Sequence, residues 1–305
     1  MEKNLLKGKV ALVTGAGRGV GRDIARMMAA RGAKVVVNDL GVAGDGSGGD
    51  DAPAQDVVRE IVEAGGEAVA NLGSVSEFSQ AQEMVKQAVQ EFGGLDIVVN
   101  NAGILRDRIF HKMTEEDFIN VVAVHLKGAF NVSRNAAEMF RAQNSGCFIH
   151  MTSTSGLIGN LGQANYMAAK LGIVGLSKGI ALDMARYNVR SNCISPFAWS
   201  RMIGAIPTDT PEQQERVKKL KQMTPDKVAV MVTALASDAA ADVSGQIFAV
   251  RNNEIFLMGQ SRPLRGMQRN DGWTPETVLE HALPGLRPSF YGLDRTADVF
   301  TWDPV

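Results

Sequence analysis

The sequence predicts an α/β protein: one domain built on a doubly wound parallel sheet of Rossmann type, followed by a C-terminal extension. Three observations predict it. Short apolar runs recur along the chain, KVALVT at 9–14, AKVVVND at 33–39, EAVANL at 67–72, LDIVVN at 95–100, CFIHMTS at 147–153 and VRSNCIS at 189–195. Runs of this length with little alternation are what strands buried on both faces require. Between them lie longer segments with helical apolar spacing, so strands and helices alternate as in βαβ units. Finally, the glycine string GAGRGVG at 15–21 joins the first run directly to a periodic segment, Ile24 to Ala30.

That string is read as strand, turn, helix. Gly15 permits the turn, while Gly19 and Gly21 let backbone approach a pyrophosphate and let the helix pack on the strand. The helix N-terminus then offers unpaired N–H groups and partial positive charge to phosphates. Asp39 ends the second strand 24 residues after Gly15, near the spacing at which an acid bonds adenosine ribose hydroxyls. A carboxylate there repels a ribose phosphate, so NAD is expected rather than NADP, with Arg18 as the residue that argues the other way. Residues 40–52, LGVAGDGSGGDDA, read as a mobile loop beside the adenosine. Asp50 and Asp51 read as a cap for the following helix rather than a cation site.

Helices are expected from Pro53 to Ala64 and from Ser76 to Phe92, with Ser74 and Val75 at a strand end placed to touch adenine. NNAG, Asn100 to Gly103, closes the fourth strand, with Asn101 bonding backbone on one side and leaving room for a ribose on the other. Thr114 with Asp117 makes a capping box for a long helix to about Arg141, which carries His125 on a mostly apolar stretch. Another long helix is expected from Gln163 to Arg186. Two such helices flanking a sheet are a common means of pairing subunits, so a homodimer or homotetramer is expected.

After the sixth strand comes Pro196, then Phe197, Trp199 and Arg201, candidates for covering a ligand at the carboxyl edge of the sheet. Residues 204–222 read as a mobile lid with a basic patch of Arg216, Lys218, Lys219 and Lys221. A helix from Val228 to Ser237 and a single last strand, GQIFAVRNNEIFLM, end the domain at about 255. Residues 256–305, with Trp273, Tyr291 and Trp302, are too aromatic for disorder and should wrap the domain or a partner subunit.

Composition narrows the class of partner. With 32 Lys and Arg against 33 Asp and Glu, the net charge of −1 favours neither nucleic acid nor anionic membrane. Cys147 and Cys193 both fall in apolar strand segments, as reduced core residues do. No secretory leader, membrane span or peroxisomal tripeptide signal is read, and the expected compartment is the cytoplasm.

The candidate chemistry lies in MTSTSGLIGNLGQANYMAAK, 151–170. Tyr166 and Lys170 are four apart, on one face of a helix. A phenol titrates near 10, and a cation within roughly 4–6 Å favours its phenolate. Lys170 is therefore read as the tuner and Tyr166 as the acid/base. Ser153, where a strand ends, can hold a substrate oxygen. Alone, such a pair is usually an accident of surface composition; the glycine string changes that.

TGAGRGVG, NNAG, and Ser153 with Tyr166 and Lys170 together make residues 8 to about 250 resemble a short-chain dehydrogenase/reductase. VVVNDLG, VVNNAGILRDR, GNLGQANYMAAKLG and SRM more closely resemble the (3R)-hydroxyacyl-CoA dehydrogenase part of the peroxisomal multifunctional β-oxidation enzymes. The resemblance implies that Tyr166 is the base, Lys170 binds the nicotinamide ribose and Ser153 holds the substrate oxygen. Gly15, Arg18, Gly19, Val20, Gly21, Asp39, Ser74, Val75, Asn101, Ala102, Gly103, Tyr166, Lys170, Pro196, Ala198, Trp199, Ser200 and Arg201 are then the expected cofactor positions. His125 stands where the wider family has Asn, and Phe197 where it often has Gly. The implied reaction is NAD-dependent oxidation of a secondary alcohol, a fatty or steroid (3R)-hydroxyacyl-CoA. A hydroxysteroid or other free-alcohol dehydrogenase, and a dinucleotide-sensing protein without catalysis, are the alternatives.

Overall fold

A computed structural model describes residues 4–50, 52–198 and 210–305. Its centre is an eight-stranded sheet in the order β3-β2-β1-β4-β5-β6-β7-β8. The strands are β1 Val10–Thr14, β2 Lys34–Asn38, β3 Glu67–Asn71, β4 Ile97–Asn100, β5 Gly146–Met151, β6 Val189–Phe197, β7 Ile247–Arg251 and β8 Glu254–Leu257. All neighbours pair in parallel except β7 and β8. The chain therefore grows outward from β1 in one direction, returns, and grows in the other from β4. Loops leaving the carboxyl ends of β1 and β4 turn to opposite faces, which opens a crevice between them.

Side-chain alternation explains the uninterrupted apolar runs. Ala11 and Val13 of β1 join one core with Ile24, Met28, Val57 and Val232, whereas Val10 and Leu12 join another with Met84, Val85, Ala136 and Phe140. The first core packs helices α1 (Gly19–Ala30), α2 (Ala52–Glu63) and α9 (Pro225–Ala236) on one face of the sheet. The second packs α3 (Phe78–Phe92) and α5 (Gly128–Ala142) on the other. A strand with apolar neighbours on both sides has no polar face to alternate with.

Several expectations are corrected in detail. The long helix after Thr114 is two pieces, α4 (Glu115–Val122) and α5, joined by a π turn at Ala123–Lys127 that contains His125. The capping box itself is present, with Thr114 and Asp117 bonding reciprocally. The single last strand is a hairpin, because Asn252 takes a left-handed φ of 54° and folds β8 back on β7. The segment expected to be a lid contains a regular helix, α8 (Pro211–Leu220), capped by Thr210 and Gln213. Its basic patch is partly neutralised: Lys218 approaches Glu215 at 3.8 Å and Lys219 pairs with Asp303 at 3.0 Å.

The end of the chain packs on its own domain. Phe300 sits between Phe197 and Phe256, with ring centroids 5.1 and 5.2 Å away, and Arg251 donates to the Trp302 carbonyl. Farther back, the Thr296 N–H donates to Gly159 O at 2.9 Å. Cys147 and Cys193 are both buried and free. Among the described residues no helix is long and apolar enough to cross a membrane.

Candidate active site

A cleft of about 1070 Å³ runs along the carboxyl edge of the sheet, from Asp39 at one end to Tyr166 and Lys170 at the other. It takes its walls from the ends of β1, β2, β4, β5 and β6, where the strand order predicts a crevice.

The glycine turn is shaped by close approaches. Gly15 has φ +62°, and a Cβ there would lie 2.7 Å from the Ala102 backbone. A side chain on Gly21 would collide with the Gly15 carbonyl, whereas Gly19, at φ +54°, faces open space. Asn101 holds the turn by donating from Nδ2 to Thr14 O at 3.0 Å and to Gly15 O at 2.9 Å. Helix α1 starts here with no side-chain cap and no acid in its first turn. Uncapped N–H groups facing a cleft across a bare glycine fit a diphosphate, which would complete them. Gly15, Arg18, Gly19, Val20, Asp39, Ser74, Val75, Asn101, Ala102, Gly103 and Pro196 all border the cleft, as expected of them. Gly21 lies just behind the turn, Ala198 follows β6, and Trp199, Ser200 and Arg201 lie outside the described residues.

Asp39 accepts from Gly17 N–H and Gly41 N–H, each at 2.7 Å, so its carboxylate is fixed at the mouth of the adenosine end. Arg18 is turned toward the loop after β2, donating to Val42 O at 3.4 Å and lying 4.0 Å from Asp50. Asp50 Oδ1 accepts the Ala52 N–H at 3.0 Å at the start of α2, and Asp51, the other capping candidate, lies outside the described residues. The loop after β2 is tied to itself and to both sides of the cleft.

At the other end, Tyr166 and Lys170 stand one turn apart on α7 (Ala164–Met184). Asn165, fully buried, sets the start of that helix: its Nδ2 donates to Arg106 O and Asp117 O at 3.0 Å, and its Oδ1 accepts the Tyr166 N–H at 2.8 Å. Gln163 adds a bond to Asp107 at 2.7 Å. Neither residue is among the sequence-based candidates. Thr152 Oγ1 donates to Lys170 O at 2.7 Å, tying β5 to α7.

Ser153 caps the short helix α6 (Thr154–Leu157), its Oγ accepting the Ser155 N–H at 3.1 Å. One lone pair is thus occupied, and the hydroxyl proton serves the Tyr166 oxygen, from which an incoming substrate oxygen can take it. Lys170 Nζ donates to Met151 O at 2.6 Å and lies 5.5 Å from the Tyr166 ring centroid. Burial pushes the Lys170 ammonium down to about 7. Burial also raises the Tyr166 phenol, with the Ser153 hydroxyl pulling the other way. The expected tuning is therefore altered: in this arrangement Ser153 opposes the upward shift of the phenol, while the Lys170 proton is directed at a strand carbonyl.

His125 meets the Tyr166 ring edge-on at 5.2 Å. Its Nε2 lies 2.8 Å from Ile104 O and 3.1 Å from Ile104 N, and burial, helped by Lys170, pushes its pKa down to about 3. Burial thus disfavours its charged form. Gly103 has no side chain because the His125 ring occupies the space a Cβ would fill.

The glycine turn and the Tyr166-Lys170 pair share one cleft, with Ser153 beside Tyr166, and known proteins carry the same combination. The chain belongs to the short-chain dehydrogenase family, whose model matches residues 9–206. It is an oxidoreductase acting on CH–OH groups of small molecules, in a family that uses a nicotinamide dinucleotide. It is 42% identical over 302 residues to a hydroxyacyl-CoA dehydrogenase of Mycobacterium tuberculosis, covering 95% of this chain and 90% of that one. It is 42% identical over 283 residues to the peroxisomal hydratase-dehydrogenase-epimerase of Saccharomyces cerevisiae, covering 90% of this chain but 29% of that enzyme. A crystal structure of a short chain dehydrogenase from Mycobacterium avium superposes with a TM-score of 0.81 at 39% identity, over 94% of this chain and 97% of that one.

Proposed function

We propose that the protein oxidises a (3R)-hydroxyacyl-CoA thioester to the 3-ketoacyl-CoA with NAD. The observation that carries the reading is one cleft with a bare, uncapped helix start at one end and a phenol and an ammonium at the other, with the Ser153 hydroxyl acting on that phenol from just behind the lining. The relatives named for hydroxyacyl-CoA and hydratase-dehydrogenase-epimerase activities support the substrate class.

In this reading the bound dinucleotide supplies the hydride acceptor. The Ser153 hydroxyl donates to the substrate oxygen and sets that carbon beside the acceptor. Tyr166, as phenolate, takes the hydroxyl proton while the carbon's hydrogen leaves with its electron pair. Lys170, when protonated, lies under the phenol ring and steadies its negative charge, and its own burial keeps water from competing. His125 packs the ring edge and fixes the phenol's orientation without carrying charge.

Asp39 favours NAD, since its fixed carboxylate would meet a ribose phosphate at close range. Arg18, engaged by Val42 and Asp50, supports the same preference. The catalytic domain, drawn at 1–255 from the sequence, runs on through β8 to Leu257, and the residues after it form an extension packed on it. Exposed apolar side chains on α4, α5 and α7, among them Ile119, Phe130, Leu171 and Leu182, support a homo-oligomer.

Turnover of a panel of hydroxyacyl-CoA thioesters and their CoA-free alcohols, with NAD and with NADP, tests the proposal. Tyr166→Phe should lower kcat by roughly 10²–10⁴ while dinucleotide affinity holds. Undiminished turnover would overturn the mechanism, and equal rates on the CoA-free alcohols would overturn the substrate.

A further inference from the structure

The loop after β2, residues 39–50, is joined to both walls of the cleft. On the glycine-turn side, Gly17 N–H donates to Asp39 and Arg18 to Val42 O. On the catalytic side, Leu105 N–H donates to Gly44 O at 2.8 Å, and Arg106 Nε to Asp45 O at 3.1 Å. The tip is folded on itself: Ala43 N–H reaches Ser47 O at 2.8 Å, Gly46 N–H reaches Ala43 O at 2.9 Å, and Ser47 Oγ reaches Asp45 at 2.7 Å. Loop and wall are in contact, since a Cβ on Gly46 would lie 3.2 Å from the Ile104 side chain. Val42, Ala43, Gly44 and Gly46 border the same cleft as Gly15 and Lys170.

We propose that this loop is a gate over the dinucleotide cleft and that Arg106 is its latch, a positioning residue that holds the loop shut across the path of cofactor entry and release. The proposal rests on the dinucleotide reading given above. The bonds that close the gate run between atoms of the chain, so closure needs no ligand. Opening must then precede binding as well as release. A change that weakens the latch accelerates both steps by the same factor and leaves their ratio, the affinity, almost unchanged. A residue that merely touched the dinucleotide would change release and affinity together.

Arg106 is suited to the role because its guanidinium serves two partners at once. Nε holds the loop carbonyl, while Nη1 is braced by Glu116 at 2.9 Å. A lysine can keep the ion pair but has no second donor in the fork that reaches Asp45.

The test is stopped-flow measurement of NADH association and dissociation on the full chain, for wild type, Arg106→Lys and Arg106→Ala. Both rate constants should rise about three- to tenfold in each variant, the loss of one charge-assisted hydrogen bond, with Kd shifted less than about twofold. Hydrogen exchange at the Leu105 amide, measured without cofactor, should accelerate by a similar factor in Arg106→Lys. Unchanged rates, or faster release with a matching loss of affinity, would overturn the gate. If wild type binds no NADH, the dinucleotide reading fails first, and Leu105 exchange still reports whether Arg106 holds the loop.

Discussion

Replacing Asn165 with leucine removes a fixed amount of hydrogen bonding from a site with no solvent. Asn165 is fully buried and makes three bonds, two donated to the carbonyls of Arg106 and Asp117 and one accepted from the Tyr166 N–H. Leucine is close in volume, so the change leaves little cavity but leaves the Arg106 carbonyl and a helix-start N–H without their partner and takes a second bond from the Asp117 carbonyl, which lies in α4. At about 1–1.3 kcal/mol for each bond, Asn165→Leu should cost about 3–4 kcal/mol of stability. Near 2 °C per kcal/mol for a domain of this size, the melting midpoint should fall by about 6–8 °C. Denaturant titration and calorimetry measure it. Because the lost acceptor held the Tyr166 backbone, kcat should fall by roughly 10²-fold while KM changes far less. A loss under about 1 kcal/mol with kcat retained would refute the view that Asn165 sets the start of the catalytic helix.

Acid stability offers a second check. His125 and His150 both have pKa values pushed down to about 3 by burial, below the unfolded value of about 6.5. Between those limits the unfolded chain takes up protons that the fold excludes, so stability falls as pH drops from about 6.5 toward 3 and is level above it. Each histidine contributes about 1.4 kcal/mol per pH unit in that window. His125→Asn should therefore make the slope shallower by about that amount in denaturant titrations from pH 6 to 4, and an identical slope would show that His125 is protonated in the fold. Gly15→Ala should lose dinucleotide binding by titration calorimetry and about 1–3 kcal/mol of stability, since φ is +62° and the Ala102 backbone in its way cannot rotate aside. Retained binding would show that the turn relaxes.

What was legible in the sequence follows from whether the signal is local. Strands β1 to β6 are short apolar runs, and the glycine turn and the Thr114 capping box are written in consecutive residues. The break at Ala123–Lys127 has no proline or glycine inside it to announce it, and the structure places the His125 ring against Ile104 and Gly103 there. The hairpin of β7 and β8 turns on Asn252, whose left-handed backbone a paired Asn hints at but does not require. The Tyr166 shift runs upward because burial of the phenol dominates it, and four-residue spacing shows that the ammonium is near the ring but not how deeply the phenol is buried, nor that the Met151 carbonyl accepts the lysine N–H. Asn165 and Gln163 went unseen because their partners lie 48 to 59 residues away.

Residues 103–108 show how such distant partners are organised. This stretch has no regular secondary structure, yet the His125 ring, the loop after β2 and the start of α7 are all held by it. Gly103 and Ile104 take the His125 ring, and Leu105 and Arg106 take the loop after β2. The Arg106 carbonyl takes Asn165, Asp107 takes Gln163, and the Arg108 N–H donates to Gly162 O at 2.7 Å while its side chain pairs with Asp117 at 3.0 Å. A helix or strand would spend its backbone groups internally and could not serve so many neighbours. An irregular segment is left with free N–H and C=O groups, which here join the cofactor side of the cleft to the phenol. A backbone shift at any of these residues should therefore disturb dinucleotide exchange and the position of Tyr166 together, although neither group lies within the segment itself.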